Sequence, residues 1–268
     1  MITNKNMTRE RDYQYKESDD PTQKQKRKRW KILSSNTKVD KDMPGYIGAS
    51  LRLTADALYI DGKRVVTCPK SSQGCRSVCL TTSGHGGIND AVHNAAYQRT
   101  YAFHKDRDFF FSKLHHELVL AKKRATKLGK KLAVRLNSMS DLPIHFLFNQ
   151  WLDKEGLSVD VDTWYDYTAV PKYIQANKDV HYTFSVKENN RADVMKALAE
   201  GVNLAVVVRD KSYDNNYGYN IVDGDITDAR FLDPANSIVL LQSKGEAEKS
   251  ESKFIFDNLK NFIEWLQK

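Results

Sequence analysis

Five short blocks of apolar residues punctuate the second half of the chain: LAVRLN (132–137), VDVDTWYDY (159–167), HYTFSV (181–186), NLAVVVRD (203–210) and NSIVLLQS (236–243). Their length and their β-branched and aromatic content mark them as strands rather than helices. IHFLFNQWLDKEG, PKYIQANK and NRADVMKALAEG lie between them, the last reading as a short helix with an Asn cap and a closing Gly. Strands that alternate with helical segments build βαβ units and hence a mainly parallel sheet.

The first half is patterned differently. Leu51 to Cys68, LRLTADALYIDGKRVVTC, reads as a hairpin turning at Asp61-Gly62. A helix is expected from Asn89-Asp90 through AVHNAAYQRTYAFH, and a second from Asp108 to Lys127, ended by Gly129. Trp30 to Leu33 forms a short strand or turn, and SKFIFDNLKNFIEWLQK at the end is an amphipathic helix. Six or more strands in one unit predict an α/β fold, a complete or partial β/α barrel spanning 30–268, with an open doubly wound sheet as the alternative.

Composition narrows the class. Forty per cent apolar and 28% charged residues supply an ordinary core, and no apolar run is long enough to span a bilayer. The polar N-terminus lacks the apolar centre of a secretory signal, so the expected compartment is the cytoplasm. Residues 1–29 read as a disordered basic arm. Residues 1–42 carry +5 of the net charge of +8, most densely in QKQKRKRWK (23–31). Such a run grips phosphate, and Trp30 beside it is able to stack on a base, so nucleic acid is a candidate partner; a solvated arm is the plainer reading.

The cysteines change the picture more. Cys68, Cys75 and Cys79 are the chain's three cysteines, and all fall in TCPKSSQGCRSVCL, a loop-forming stretch with a C-x₆-C-x₃-C spacing. Clustered thiolates are metal ligands, most naturally of a 4Fe–4S cluster that leaves one iron open. Zinc is the rival, with His85 of the glycine-rich loop TTSGHGG as a fourth ligand; the cysteine-cluster loop as a whole spans 67–87. A redox pair or plain structural thiols complete the alternatives.

In parallel α/β folds ligands bind at the carboxyl ends of the strands. Those ends carry Arg135, Asn137, Ser138 and Asp141; Tyr165 and Tyr167; Ser185 and Lys187; Arg209; Asp225; and Lys244. Together they predict a polar, cationic rim suited to an anionic or nucleotide-like small molecule. Asp223, Asp225, Asp228 and Asp233 crowd one loop with Arg230; turn-forming or ribose-binding carboxylates are the favoured reading over a Mg²⁺ site.

The ordered series CPKSSQGCRSVCL, SGHGG, AVRLNSMSDLP, DYTAVPK, TFSVKENN, EGVNLAVVV, VDGDITDARFLDP and LLQSKG, spanning about residues 31 to 245, resembles the phage "gene product 88" family. That resemblance implies a phage protein without fixing an activity. A looser architectural likeness is to radical S-adenosylmethionine enzymes, whose three-cysteine cluster follows the first barrel strand, though with a C-x₃-C-x₂-C spacing. It implies an enzyme with S-adenosylmethionine on the open iron, oriented by Arg135, Asn137, Ser185 and Lys187 and lined by Tyr165 and Tyr167. The other expectation is a nucleic-acid-associated phage protein in which the cluster or a zinc ion serves only as a staple.

Overall fold

A computed structural model describes residues 31–34, 43–79 and 90–268. The basic arm, Trp30, the glycine loop and His85 lie outside the described residues.

Eight strands form one sheet. β1 (Leu33–Ser34) pairs antiparallel with β2 (Tyr46–Leu51), and β2 lies parallel to β5 (Lys131–Arg135). Parallel pairing continues through β6 (Thr163–Thr168), β7 (Val180–Ser185), β8 (Leu204–Val208), β10 (Ser237–Gln242) and β9 (Asn220–Asp223). The spatial order β1-β2-β5-β6-β7-β8-β10-β9 thus climbs with the sequence except for the exchange at its far edge. The mixed α/β class with a mostly parallel sheet is as expected. Among the described residues no pairing joins the two edge strands.

Register assigns every strand residue to a face. Ile47, Leu132, Trp164, Val180, Phe184, Leu204 and Ile238 fall on one side and Ala133, Tyr165, Thr183 and Ala205 on the other. The first side is covered by helices. α3 (Arg107–Lys127) and α4 (Ile144–Glu155) bury Phe110, Phe111, Leu114, Phe148 and Trp151 against Leu132 and Val134. α6 (Arg191–Ala199) and α7 (Leu259–Gln267) bury Val194, Phe262 and Ile263 against Phe184, Val206 and Leu240. Full burial of an aliphatic or aromatic side chain contributes about 1.5–3 kcal/mol, so these two clusters anchor the sheet. The other side carries Arg135, Tyr167 and Ser185 and is the one available to a ligand.

Local chemistry explains the element ends. Asp106 caps α3 by accepting from the Phe109 N–H at 3.1 Å, and Gly129 beyond it takes φ 64°. Two-residue connection Asp61-Gly62, with φ 50° and 71°, joins β3 (Ala57–Ile60) to β4 (Lys63–Val66) in a separate hairpin. This hairpin is shorter than the sequence suggests, because Leu51 belongs to β2 of the main sheet. The terminal helix is likewise shorter. It starts at Leu259 behind the Asn258 cap, while Phe256 forms a parallel bridge to Val208. The remaining helices are α1 (Gln73–Ser77), inside the cysteine loop, α2 (Asp90–Lys105) and α5 (Pro171–Ala176). None of the described helices is long and apolar enough to cross a membrane.

Candidate functional site

A cavity of about 820 Å³ opens at the carboxyl ends of the parallel strands. Cys68, Cys75 and Cys79 line it together with Arg135, Asn137, Ser138, Asp141, Tyr167, Ser185, Lys187, Asp225 and Lys244. Two of the predicted rim residues stand apart. Tyr165 is buried beneath the floor, its ring edge-on to Phe231 at 5.3 Å and its hydroxyl 3.4 Å from Asp228. Arg209 points to the C-terminal segment, donating to the carbonyls of Glu248 and Ser250 and pairing with Asp257 at 3.3 Å.

The cysteine loop is strapped to the strand ends rather than left hanging. Glu188, just past β7, accepts from Ser72 Oγ at 2.7 Å and from the Gly74 N–H at 2.8 Å. Gly74 allows that approach: a Cβ there would stand 2.7 Å from Glu188 Oε1 and 2.9 Å from Ser252 Oγ. The buried Lys187 donates to the Lys70 carbonyl at 2.8 Å. Ser72 caps α1, accepting from the Cys75 N–H at 3.0 Å, which turns Cys75 into the cavity. Cys68 is held by Asp56, whose N–H donates to its Sγ at 3.2 Å, while the thiol reaches the Met139 carbonyl at 3.5 Å.

No disulfide joins the three cysteines. Burial pushes the Cys68 thiol up to about 12, with the charges of Asp141, Cys79 and Cys75 adding to it. Burial also pushes Cys75 up to about 11, against the pull of Lys187 and with Cys79 adding. The three sulfurs therefore share one electrostatic neighbourhood. Without a cation the two shifted thiols stay protonated at neutral pH, so a thiophilic metal would have to displace their protons. Among the described residues no three His, Cys, Asp or Glu side chains are gathered into a group set to hold a single metal ion.

Behind the rim lies a buried polar frame. Asp166, fully buried, accepts from the N–H groups of Leu136 and Asn137, from Asn137 Nδ2 at 3.2 Å and from His145 Nε2 at 3.0 Å. These bonds shape the turn after β5 and deliver Asn137, Ser138 and Asp141 to the cavity. Arg135 lies 3.4 Å from Asp166, donates to both oxygens of Asp228 at 3.1 and 3.0 Å, and stacks on Tyr167 at 4.6 Å. Burial alone would lower its pKa, but Asp228 and Asp166 raise it above the ordinary arginine value. The guanidinium is thus matched by two carboxylates. Burial pushes Asp141 up to about 6, although the Ala169 N–H and Thr168 hydroxyl at 2.7 Å pull the other way.

The aspartate loop resolves into ion pairs. Asp223 takes Lys211 at 2.6 Å, and Asp225 takes Lys244 and Lys211, the latter at 3.2 Å. Asp233 pairs with the fully buried Arg230 at 3.3 Å. Arg52 and Arg99 line the cavity too, outside the strand-end set read from the sequence, and Asp228, read there only as one of the loop aspartates, joins them. Arg52 carried a signal, since it sits between Leu51 and Leu53, and strand alternation turns the middle residue away from a core that takes both neighbours.

The family model described as Gene product 88 matches residues 16–258, so the chain belongs to that family. Comparison with curated proteins and with solved structures gave no match.

Proposed function

Starting from membership of the Gene product 88 family, we propose that this phage-encoded chain is an iron–sulfur protein. Cys68, Cys75 and Cys79 hold a 4Fe–4S cluster at the mouth of a pocket for an anionic or nucleotide-like small molecule. One observation carries the reading: all three cysteines line the same cavity as the polar strand ends. The donor set suits iron and sulfide, being three thiols without a disulfide, on a loop strapped by Glu188 and Lys187.

When bound, such a cluster supplies electron transfer and an open iron for a donor atom of the ligand. The chain's own residues do the rest. Ser138, Ser185 and Gln242 offer hydrogen bonds along the cavity, Asn137 holds the turn that presents Ser138, and Val78, Val207, Leu241 and Phe254 exclude water from its wall. S-adenosylmethionine is the ligand suggested by the likeness to radical enzymes, and the enzyme reading follows from it.

The barrel-like form belongs to this proposal. Strand order that climbs with sequence supports it, as do helix-bearing clusters on a single face and a cavity lined by Ser50 of β2 and Leu241 of β10 alike.

Anaerobic reconstitution tests the cluster. Wild type should take up about four irons and four sulfides and absorb near ~400 nm, and Cys75→Ser should lose most of the bound iron. Stoichiometric zinc with no iron would turn the reading to a structural zinc site.

A further inference from the structure

The cavity has a cationic corner that the strand-end rule does not predict. Arg52 follows β2, and Leu51 and Leu53 on either side of it are fully buried in the core, so its side chain turns to the cavity. Arg99 reaches the same cavity from α2, where Ala91 and Ala95, eight and four residues earlier on one helix face, also line it and leave room. The guanidiniums feel one another. Burial lowers the Arg99 pKa, and the positive charge of Arg52 lowers it further against the pull of Glu117. Burial lowers Arg52 too, and negative charge on the Cys79 sulfur would pull the other way.

Glu117 does not neutralise the corner. Its carboxylate accepts from the Ile32 N–H at 3.1 Å and the Leu33 N–H at 2.8 Å, and it shares its charge with Lys113 at 3.4 Å. Arg99 spends its Nε on the Lys31 carbonyl at 3.0 Å. Among the described residues Arg52 has no carboxylate partner. Two partly desolvated positive charges lining one cavity repel each other, and an anion bound between them would offset that cost.

We propose that Arg52 and Arg99 form a phosphate seat, taking the phosphoryl group of an organic phosphate whose body lies along the apolar wall of the cavity. This deepens, and rests on, the reading of the cavity as a ligand pocket. Phosphate fits better than carboxylate for a stated reason. Its near-double negative charge balances two guanidiniums, and its three free oxygens can face two forks at once, whereas a carboxylate brings a single charge and two oxygens. The volume of about 820 Å³ lies within the range of nucleotide-sized ligands.

The test is calorimetric titration of the full-length, metal-free chain at constant ionic strength with inorganic phosphate, adenosine 5′-monophosphate and acetate. Wild type should bind both phosphates saturably and acetate far more weakly. Arg52→Gln and Arg99→Gln should each weaken phosphate binding roughly tenfold or more, because a charge-assisted, two-fork contact is lost. Arg52→Lys, which keeps the charge and loses the fork, should fall between. Lys154→Gln, the same charge change at an exposed site, should bind as wild type does. Circular dichroism checks folding, and if Arg52→Gln fails to fold, Arg52→Lys carries the comparison. Saturable binding that is equal in wild type and Arg52→Gln, acetate binding as tight as phosphate, or no saturable phosphate binding at all would each overturn the seat. Iron and sulfide assays keep the two proposals apart: Cys75→Ser should lose iron yet still bind phosphate, and Arg52→Gln should do the reverse.

Discussion

Two sides of the one cavity treat charge in opposite ways. On the β9–β10 side, Lys244 faces the cavity but is taken by Asp225, and Lys211 bridges Asp223 and Asp225. Burial works to raise Asp225, yet the bonds from Lys244, from the Gln242 N–H and from Lys211 hold it below the usual carboxylate range. In the middle of the sheet, Arg135 is matched by Asp166 and Asp228. On the β2–α2 side, among the described residues, Arg99 has Glu117, shared with Lys113, and Arg52 has the Cys79 sulfur within electrostatic reach. Cations already matched by carboxylates hold the strand ends together; the unmatched pair is where an incoming anion gains most. A residue type at a strand end is therefore a weak guide to binding until its counter-charge is known.

The largest expected effect tests whether the matched side is structural. Replacing Asp166 by Ala strips four hydrogen bonds from a fully buried frame and leaves donors unpaired, so the chain should lose about 3 kcal/mol in urea denaturation. A loss below ~1 kcal/mol would break the contrast.

Asp141 gives the next effect, through pH. Its folded value of about 6 lies above the ordinary 3.8, so the folded state holds the proton more tightly than the unfolded state. Its contribution is fully present below pH ~4 and is lost as pH rises through ~6. Moving the metal-free chain from pH 7.5 to 5 should raise the urea midpoint, the share due to Asp141 being no more than about 3 kcal/mol. Asp141→Asn should flatten that part of the profile, and identical profiles for the two proteins would refute the assignment. Smallest is Lys211→Gln. Its ion pairs are half-buried at the cavity edge and still reached by solvent, so stability should fall by about 1 kcal/mol or less and the difference should shrink in high salt.

Much of the scaffold was legible locally. All five apolar blocks of the second half are strands, because a strand buried in a parallel sheet must be apolar on both faces. The Asp61-Gly62 turn was legible for an equally local reason, since two successive positive φ angles favour such a pair. β9 escaped because Asn-Ile-Val-Asp is four residues long at the sheet edge, with little apolar pattern of its own. Phe254 and Phe256 were read into the last helix because their spacing fits one, but Phe256 takes its backbone partner from Val208, far away in sequence. The candidate site was legible in its cysteines and in most of its strand ends; Tyr165 and Arg209 were named there, and the fold places them elsewhere.

The sequence by itself determined the periodicities, the turn chemistry and the clustering of thiols, since each depends on residues a few positions apart. The tertiary structure alone decided which charges meet. Arg135 finds Asp228 ninety-three residues away, Ser72 finds Glu188 at a separation of 116, and Lys187 finds the Lys70 carbonyl at 117. Strand pairing brings such groups together, and among the described residues it sets no carboxylate against Arg52.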